Sequence, residues 1–208
     1  MGKSQRHALA IGFAGLVTFL MAFMAEESFY SLDAVSSDMA WRAISEETGG
    51  QSEPRIIVVN IDEASIERYG PWPWPRELMA KMVARLSEEG AALQVFDVVF
   101  PSEKPGNAAL AGALAKSPTV LAQIMAIESD ETVFRGSLQG GVTFPGCAQH
   151  FDSATAYIAN HTAISAAAAG HITPRISADG GVRRIPAMVC YGDKAYPALV
   201  LAAVAEGA

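Results

Sequence analysis

Ile56-Ile57-Val58-Val59-Asn60-Ile61 is a nearly unbroken β-branched run, closed by Asp62-Glu63. Residues branched at Cβ favour extended backbone, and a run without polar alternation predicts a strand covered on both faces, as in a parallel sheet. Close behind comes Gly70-Pro71-Trp72-Pro73-Trp74-Pro75-Arg76, which spends two of the three tryptophans and three of the eleven prolines on a single turn. Each proline fixes its own φ and restricts the residue before it, so this turn is stiff. Pro75 suits the first position of a helix, where its missing N–H is not needed. From Glu77 to Glu89 the apolar residues Leu78, Met79, Met82, Val83 and Leu86 share one helical face, and Gly90 supplies the stop. Ala91 to Phe100 then reads as a second buried strand. Strand, crossover helix and strand in that order predict a right-handed βαβ unit.

The rhythm continues with a small-residue helix over Asn107 to Lys116 and a third strand over Thr119 to Ile127. An α/β fold follows, with a mostly parallel sheet and helices on both faces. Thr132 to Cys147 carries Gly and Pro and reads as a loop with one strand, while the alanine-rich stretch Ser153 to Ala169 is expected to be helical in part. Asp179-Gly180 marks a tight turn, and the residues after it, up to Cys190, alternate as a strand does. Tyr196-Pro197 opens a final apolar helix, Ala198 to Ala205, with Tyr196 packing it against the sheet.

The N-terminal segment places this domain. Lys3 and Arg6 precede an uncharged stretch from Ala8 to Ala25, and Glu26-Glu27 closes it. A helix of about 18 residues, rising about 1.5 Å per residue, just covers a bilayer core of about 30 Å. Positive charge before it and negative charge after it orient the N-terminus toward the cytoplasm. The rival is a cleaved signal peptide, but its small-residue signature would fall on Phe23 and Ala25, a poor match. Both readings export the bulk of the chain. The expected division is a cytoplasmic N-terminus at 1–7, a transmembrane helix at 8–25, a juxtamembrane helix and linker at 26–53, and an exported domain at 54–208. This describes a single-pass membrane protein with its bulk outside the cytoplasm.

Composition removes several function classes. The net charge is −7 and the longest basic run is Arg183-Arg184, so no cationic surface is present to neutralise nucleic-acid phosphates. Among Cys147, Cys190, His150, His161 and His171 no two close-spaced ligand pairs combine into a set, so no metal or other cofactor is expected. No Gly-x-Ser-x-Gly or phosphate loop appears, and the chain does not read as an enzyme. Cys147 and Cys190 are the only cysteines; in an exported chain they are a candidate disulfide, and otherwise two small buried hydrophobes.

Five blocks in order carry a family resemblance: residues 57 to 65, Ile-Val-Val-Asn-Ile-Asp-Glu-Ala-Ser; 70 to 76, Gly-Pro-Trp-Pro-Trp-Pro-Arg; 96 to 100, Phe-Asp-Val-Val-Phe; 179 to 184, Asp-Gly-Gly-Val-Arg-Arg; and 196 to 199, Tyr-Pro-Ala-Leu. From about Arg55 to Glu206 the chain resembles the CHASE type-two domain, the extracytoplasmic sensory module of bacterial cyclases and histidine kinases. The resemblance implies a non-enzymatic sensor that binds a small ligand or senses a periplasmic condition. In the family, further membrane helices and a cytoplasmic output domain follow. This sequence stops at Ala208 with neither, as expected of a truncated product or a piece of a longer receptor. Other readings are an exported metal-dependent hydrolase using Asp62 and Asp97, or an interaction module that pairs with itself or with a full-length receptor.

The candidate ligand-binding residues are Asp62, Trp72, Trp74, Arg76, Asp97 and Arg183. Asp62 and Asp97 sit at or near the ends of neighbouring strands, where α/β sheets bind ligands, although Asp62 also suits a helix cap. Asp97 lies inside an apolar run and would need a partner if buried, with Arg76 or Arg183 as the candidates. Trp72 and Trp74 are expected to point to different sides. Arg76, in a first helical turn, opposes the helix dipole, which implies Asp62 or an anionic ligand as its partner. Arg183 and Arg184 alternate, so one faces in and the other, taken to be Arg184, faces water.

Overall fold

The protein is described by a computed structural model covering residues 12–19, 35–47, 49, 53–127, 132–164, 166, 168–177 and 179–207. The chain divides into two compact units, Met1–Asn60 and Ile61–Ala208. In the first unit, residues 12–19 and 35–47 are helical. The expected membrane helix lies in large part outside the described residues. Among the described residues no helix is long and apolar enough to cross a membrane.

The β-branched run does not form the predicted strand. Residues 56–60 belong to no strand or helix, and Ile57 is 83% and Val58 76% exposed. Extended backbone alone does not make a strand, because each strand needs a ladder partner for its N–H and C=O groups. The βαβ unit predicted to begin at this run is therefore absent.

The second unit is α/β. Its helices are α1 (Glu63–Tyr69), α2 (Arg76–Glu88), α3 (Asn107–Leu114) and α4 (Leu199–Glu206). Its strands are β1 (Gln94–Phe96), β2 (Thr119–Ile127), β3 (Phe134–Arg135), β4 (Val142–Thr143), β5 (Asp152–Ile158), β6 (Ala168–His171), β7 (Arg175–Ile176), β8 (Val182–Arg184), β9 (Met188–Tyr191) and β10 (Lys194–Pro197). The main sheet runs β1-β2-β5-β9-β10-β4, with β6 added on β2 and β3 on β5. A separate hairpin pairs β7 with β8.

The sheet is mixed, which corrects the expectation of a mostly parallel one. β1 and β6 run parallel to β2, as β9 does to β5, but β5 is antiparallel to β2 and β10 to β9. The β9–β10 connection is only Gly192-Asp193, with Gly192 at φ 60°. A connection that short can join only antiparallel strands. The parallel unit that does form is β1-α3-β2, one crossover later in the chain than predicted.

The Ser153–Ala169 stretch is not helical where it is described. It supplies β5 and leads into β6, because alternation in Ser153-Ala154-Thr155-Ala156-Tyr157 outweighs the helical propensity of alanine once a sheet edge is available. Tyr196-Pro197 closes β10 instead of opening the helix.

The core gathers the turn, both long helices and the sheet. Trp74, Met79 and Val83 meet Phe96, Phe100, Leu110, Leu114, Leu121 and Ile164 in one buried cluster. Polar side chains tie it to the strands. Gln94 donates to the Val83 carbonyl at 3.0 Å and to Ser87 Oγ at 2.8 Å, fixing β1 to α2. Asn160 accepts from the Phe100 N–H at 2.8 Å and donates to the Ala122 carbonyl at 2.9 Å. α4 packs on β6 and β2.

Candidate functional site

The tryptophan turn sets the entry to α2. Trp74 is 7% exposed, and its indole N–H donates to the Gly70 carbonyl at 2.8 Å. Trp72 is 38% exposed and meets Trp74 edge to face, with centroids 5.7 Å apart. Tyr69 contacts the same indole at 5.6 Å. The two tryptophan rings therefore touch each other instead of diverging: Trp74 is fixed in the core and Trp72 covers it from the solvent side. The Trp72–Pro73 bond is cis.

Pro75 is the N-cap of α2, and Arg76 is its first helical residue. Arg76 is only 5% exposed, yet neither Asp62 nor Asp97 pairs with it. Its Nε donates to Asn107 Oδ1 at 3.2 Å, and its guanidinium carbon lies 4.4 Å from the centroid of the Phe100 ring. Burial lowers the Arg76 pKa. Its terminal nitrogens are not among the sealed, unpartnered atoms, although Asn107 Nδ2 is. With no hydrogen bond to them among the described residues, the Nη groups face whatever solvent path reaches them.

Asn107 opens α3, so this guanidinium lies where the starts of α2 and α3 meet. Both helix dipoles present their positive ends there, which disfavours a cation and favours an anion. Part of the compensation comes from Glu77. Its carboxylate stands over Gly106, the N-cap of α3 at φ 84°, so closely that a side chain at Gly106 would collide with it.

Asp62 acts as a helix cap. Its Oδ1 accepts from the Ser65 N–H at 2.8 Å and from the Ser65 hydroxyl at 2.6 Å, and those bonds hold its pKa below the usual value. Asp97 follows β1 and is exposed, so it needs no buried partner. Arg183 folds back onto its own turn, with Nη1 2.8 Å and Nη2 2.7 Å from the Asp179 carboxylate. The structure thus sets Trp72 against Trp74, seats Arg76 on Asn107 and Phe100, leaves Asp97 exposed and ties Asp62 and Arg183 into local turns. Among the described residues, no group of three or more His, Cys, Asp or Glu side chains is placed to hold a metal.

Two further features, a cavity and a buried histidine, were not assigned a role from sequence, while the candidate disulfide is formed. A cavity of about 520 Å³ is lined by His150, Asp152, Arg175 and Arg184 among others. Cys147 and Cys190 are joined as a disulfide, with Cα atoms 5.8 Å apart. His171, in β6, is fully buried with both ring nitrogens unpartnered, and burial pushes its pKa down to about 4. The cavity was hidden because Arg175 and Arg184 are distant in sequence and meet only through the β7–β8 pairing.

The family model for the CHASE2 domain matches residues 13–208. The chain belongs to the CHASE2 domain family. CHASE2 domains are extracytoplasmic sensory modules, so the membership of this chain makes it a sensory domain in kind. No curated protein and no solved structure matches the chain.

Proposed function

We propose that this CHASE2 chain is the membrane-anchored, extracytoplasmic part of a bacterial signal-transduction receptor, and that it senses a small ligand by a non-enzymatic route. The anchor in this reading is the uncharged segment 8–25, with the bulk of the chain in the periplasm. Family membership over 13–208 supports the sensory role. The single observation that carries the ligand reading is Arg76, a buried guanidinium held by an amide and a ring instead of a carboxylate.

An anionic group reaching its Nη atoms would be attracted by the guanidinium and by the two helix starts together. Because Arg76 begins α2 and Asn107 begins α3, drawing the guanidinium toward a ligand changes how those helices pack. Such a shift signals only if the two packings bind the ligand with different affinity. Trp72, exposed beside the same turn, is the side chain placed to cover the ligand.

Export is tested by fusing after Ala208 a phosphatase that is active only outside the cytoplasm. The fusion is expected to be active in cells, and deletion of residues 8–25 to abolish that activity. An inactive fusion of the intact chain would overturn the reading.

A further inference from the structure

The β7–β8 hairpin places two arginines side by side. Arg175 and Arg184 are direct cross-strand partners, and like charges so placed repel. Asp152 answers one of them: its carboxylate accepts from Arg175 Nε at 2.8 Å and pairs with Arg175 Nη2. Arg184 is exposed and has no ion pair among the described residues, so none of them matches its positive charge.

Both arginines and Asp152 line the cavity of about 520 Å³, within the volume range of about 300–1,000 Å³ usual for small-molecule sites. The same lining includes the apolar side chains of Phe151 and Met188, both partly buried. That wall is braced. Phe151 and Met188 pack against the cluster formed by Cys147, Cys190 and Ala195, so the disulfide sits directly behind it. His150 adds a polar edge and is itself fixed by the Phe144 and Phe151 rings, at 5.8 and 6.5 Å between centroids. The neighbouring Arg183 is occupied with Asp179 on its own turn, which leaves Arg184 as the arginine turned to this space.

We propose that this cavity is a carboxylate site, in which Arg184, beside Arg175, receives the head of a small monocarboxylic acid while Phe151 and Met188 cover its apolar body. A planar guanidinium fork matches a carboxylate in a bidentate pair. The single unmatched charge fits a monoanion, whereas a phosphate dianion would bring excess negative charge against Asp152. The site is separate from Arg76, and its existence does not depend on the ligand reading given there.

The test is calorimetric titration of the full chain, purified in detergent, with hexanoate, with hexanamide and with inorganic phosphate. Hexanoate is expected to bind, hexanamide to bind at least tenfold more weakly, and phosphate not to compete. Arg184→Gln is expected to weaken hexanoate at least tenfold and Arg184→Lys by a few-fold, with unfolding curves of both variants superimposing on the parent. Asp152→Asn, which adds one unmatched charge, is expected to admit phosphate. Absence of hexanoate binding, equal binding of hexanamide, preference for phosphate in the parent chain, or binding unchanged in Arg184→Gln would each overturn the assignment.

Discussion

Among the described residues, Arg76 and Arg184 are both arginines without a carboxylate partner, in opposite settings. Arg76 is largely buried between two helix starts and a phenylalanine ring, so its charge is part of the packing of α2 and α3. Arg184 lies at the mouth of an open cavity on a hairpin outside the main sheet. A buried charge cannot be removed without orphaning what holds it, whereas an exposed one can be neutralised with little structural consequence. One region therefore ties ligand chemistry to the core, and the other offers a site the core can ignore.

The strongest way to disturb the cavity side without touching its arginines is the covalent brace. The disulfide closes a separation of 43 residues, for which chain entropy gives a stabilisation of about 4 kcal/mol. Cys147→Ser with Cys190→Ser is expected to lower the unfolding free energy measured in urea by that order and to weaken hexanoate binding together with it. Unchanged hexanoate affinity in the folded double variant would show that the brace does not shape the wall.

On the other side, Arg76→Met is expected to destabilise by about 2–4 kcal/mol, since it orphans Asn107 Oδ1 and removes the cation from the Phe100 face. Equilibrium urea unfolding measures this directly. Arg76→Lys should recover only part of the loss, because an ammonium lacks the fork that reaches Asn107 while lying flat on the ring.

Acid should act on the sheet before it acts on either arginine. His171 has a folded pKa near 4 against 6.5 when unperturbed, lowered by burial. Between those values the unfolded chain binds the extra proton, so stability falls as pH drops through that window and levels off below it, by on the order of 3 kcal/mol. The Asp179 carboxyl, held low by Arg183, loses its contribution only at more acid pH. Unfolding midpoints of the parent and of His171→Leu across pH 7 to 4 would separate the two, with the slope above about pH 4.5 expected to vanish in the variant. The smallest effect is expected for Asp62→Ala, a lost cap worth roughly 2–4 °C in Tm.

The helix expected over Glu77 to Glu89 is found at Arg76–Glu88 and the strand Thr119–Ile127 where it was expected, because each rests on local periodicity, while a count of two cysteines raised the disulfide as one of two alternatives. It misread residues 56–61, since a β-branched run states how a strand would be covered but not that a ladder partner is present. The Asp62 cap was legible from Ser65 three residues on. Alternation separated Arg183 from Arg184 but gave the ligand role to Arg183, and could not say which side of the hairpin held the cavity. That side is set by Arg175, Asp152 and Met188, which come from β7, β5 and β9. Arg76 was singled out by its conflict with the helix dipole, while its partner Asn107, distant in sequence, carried no signal.

The contrast between the two arginines is tested most directly by urea unfolding of Arg76→Met and Arg184→Gln, each with and without hexanoate. Arg76→Met is predicted to lower the midpoint yet keep the hexanoate-induced rise, since a ligand that binds only the folded state stabilises it. Arg184→Gln is predicted to stay within about 0.5 kcal/mol of the parent and to lose the rise. A midpoint in Arg184→Gln as low as in Arg76→Met, or a hexanoate-induced rise that survives in Arg184→Gln, would contradict the account.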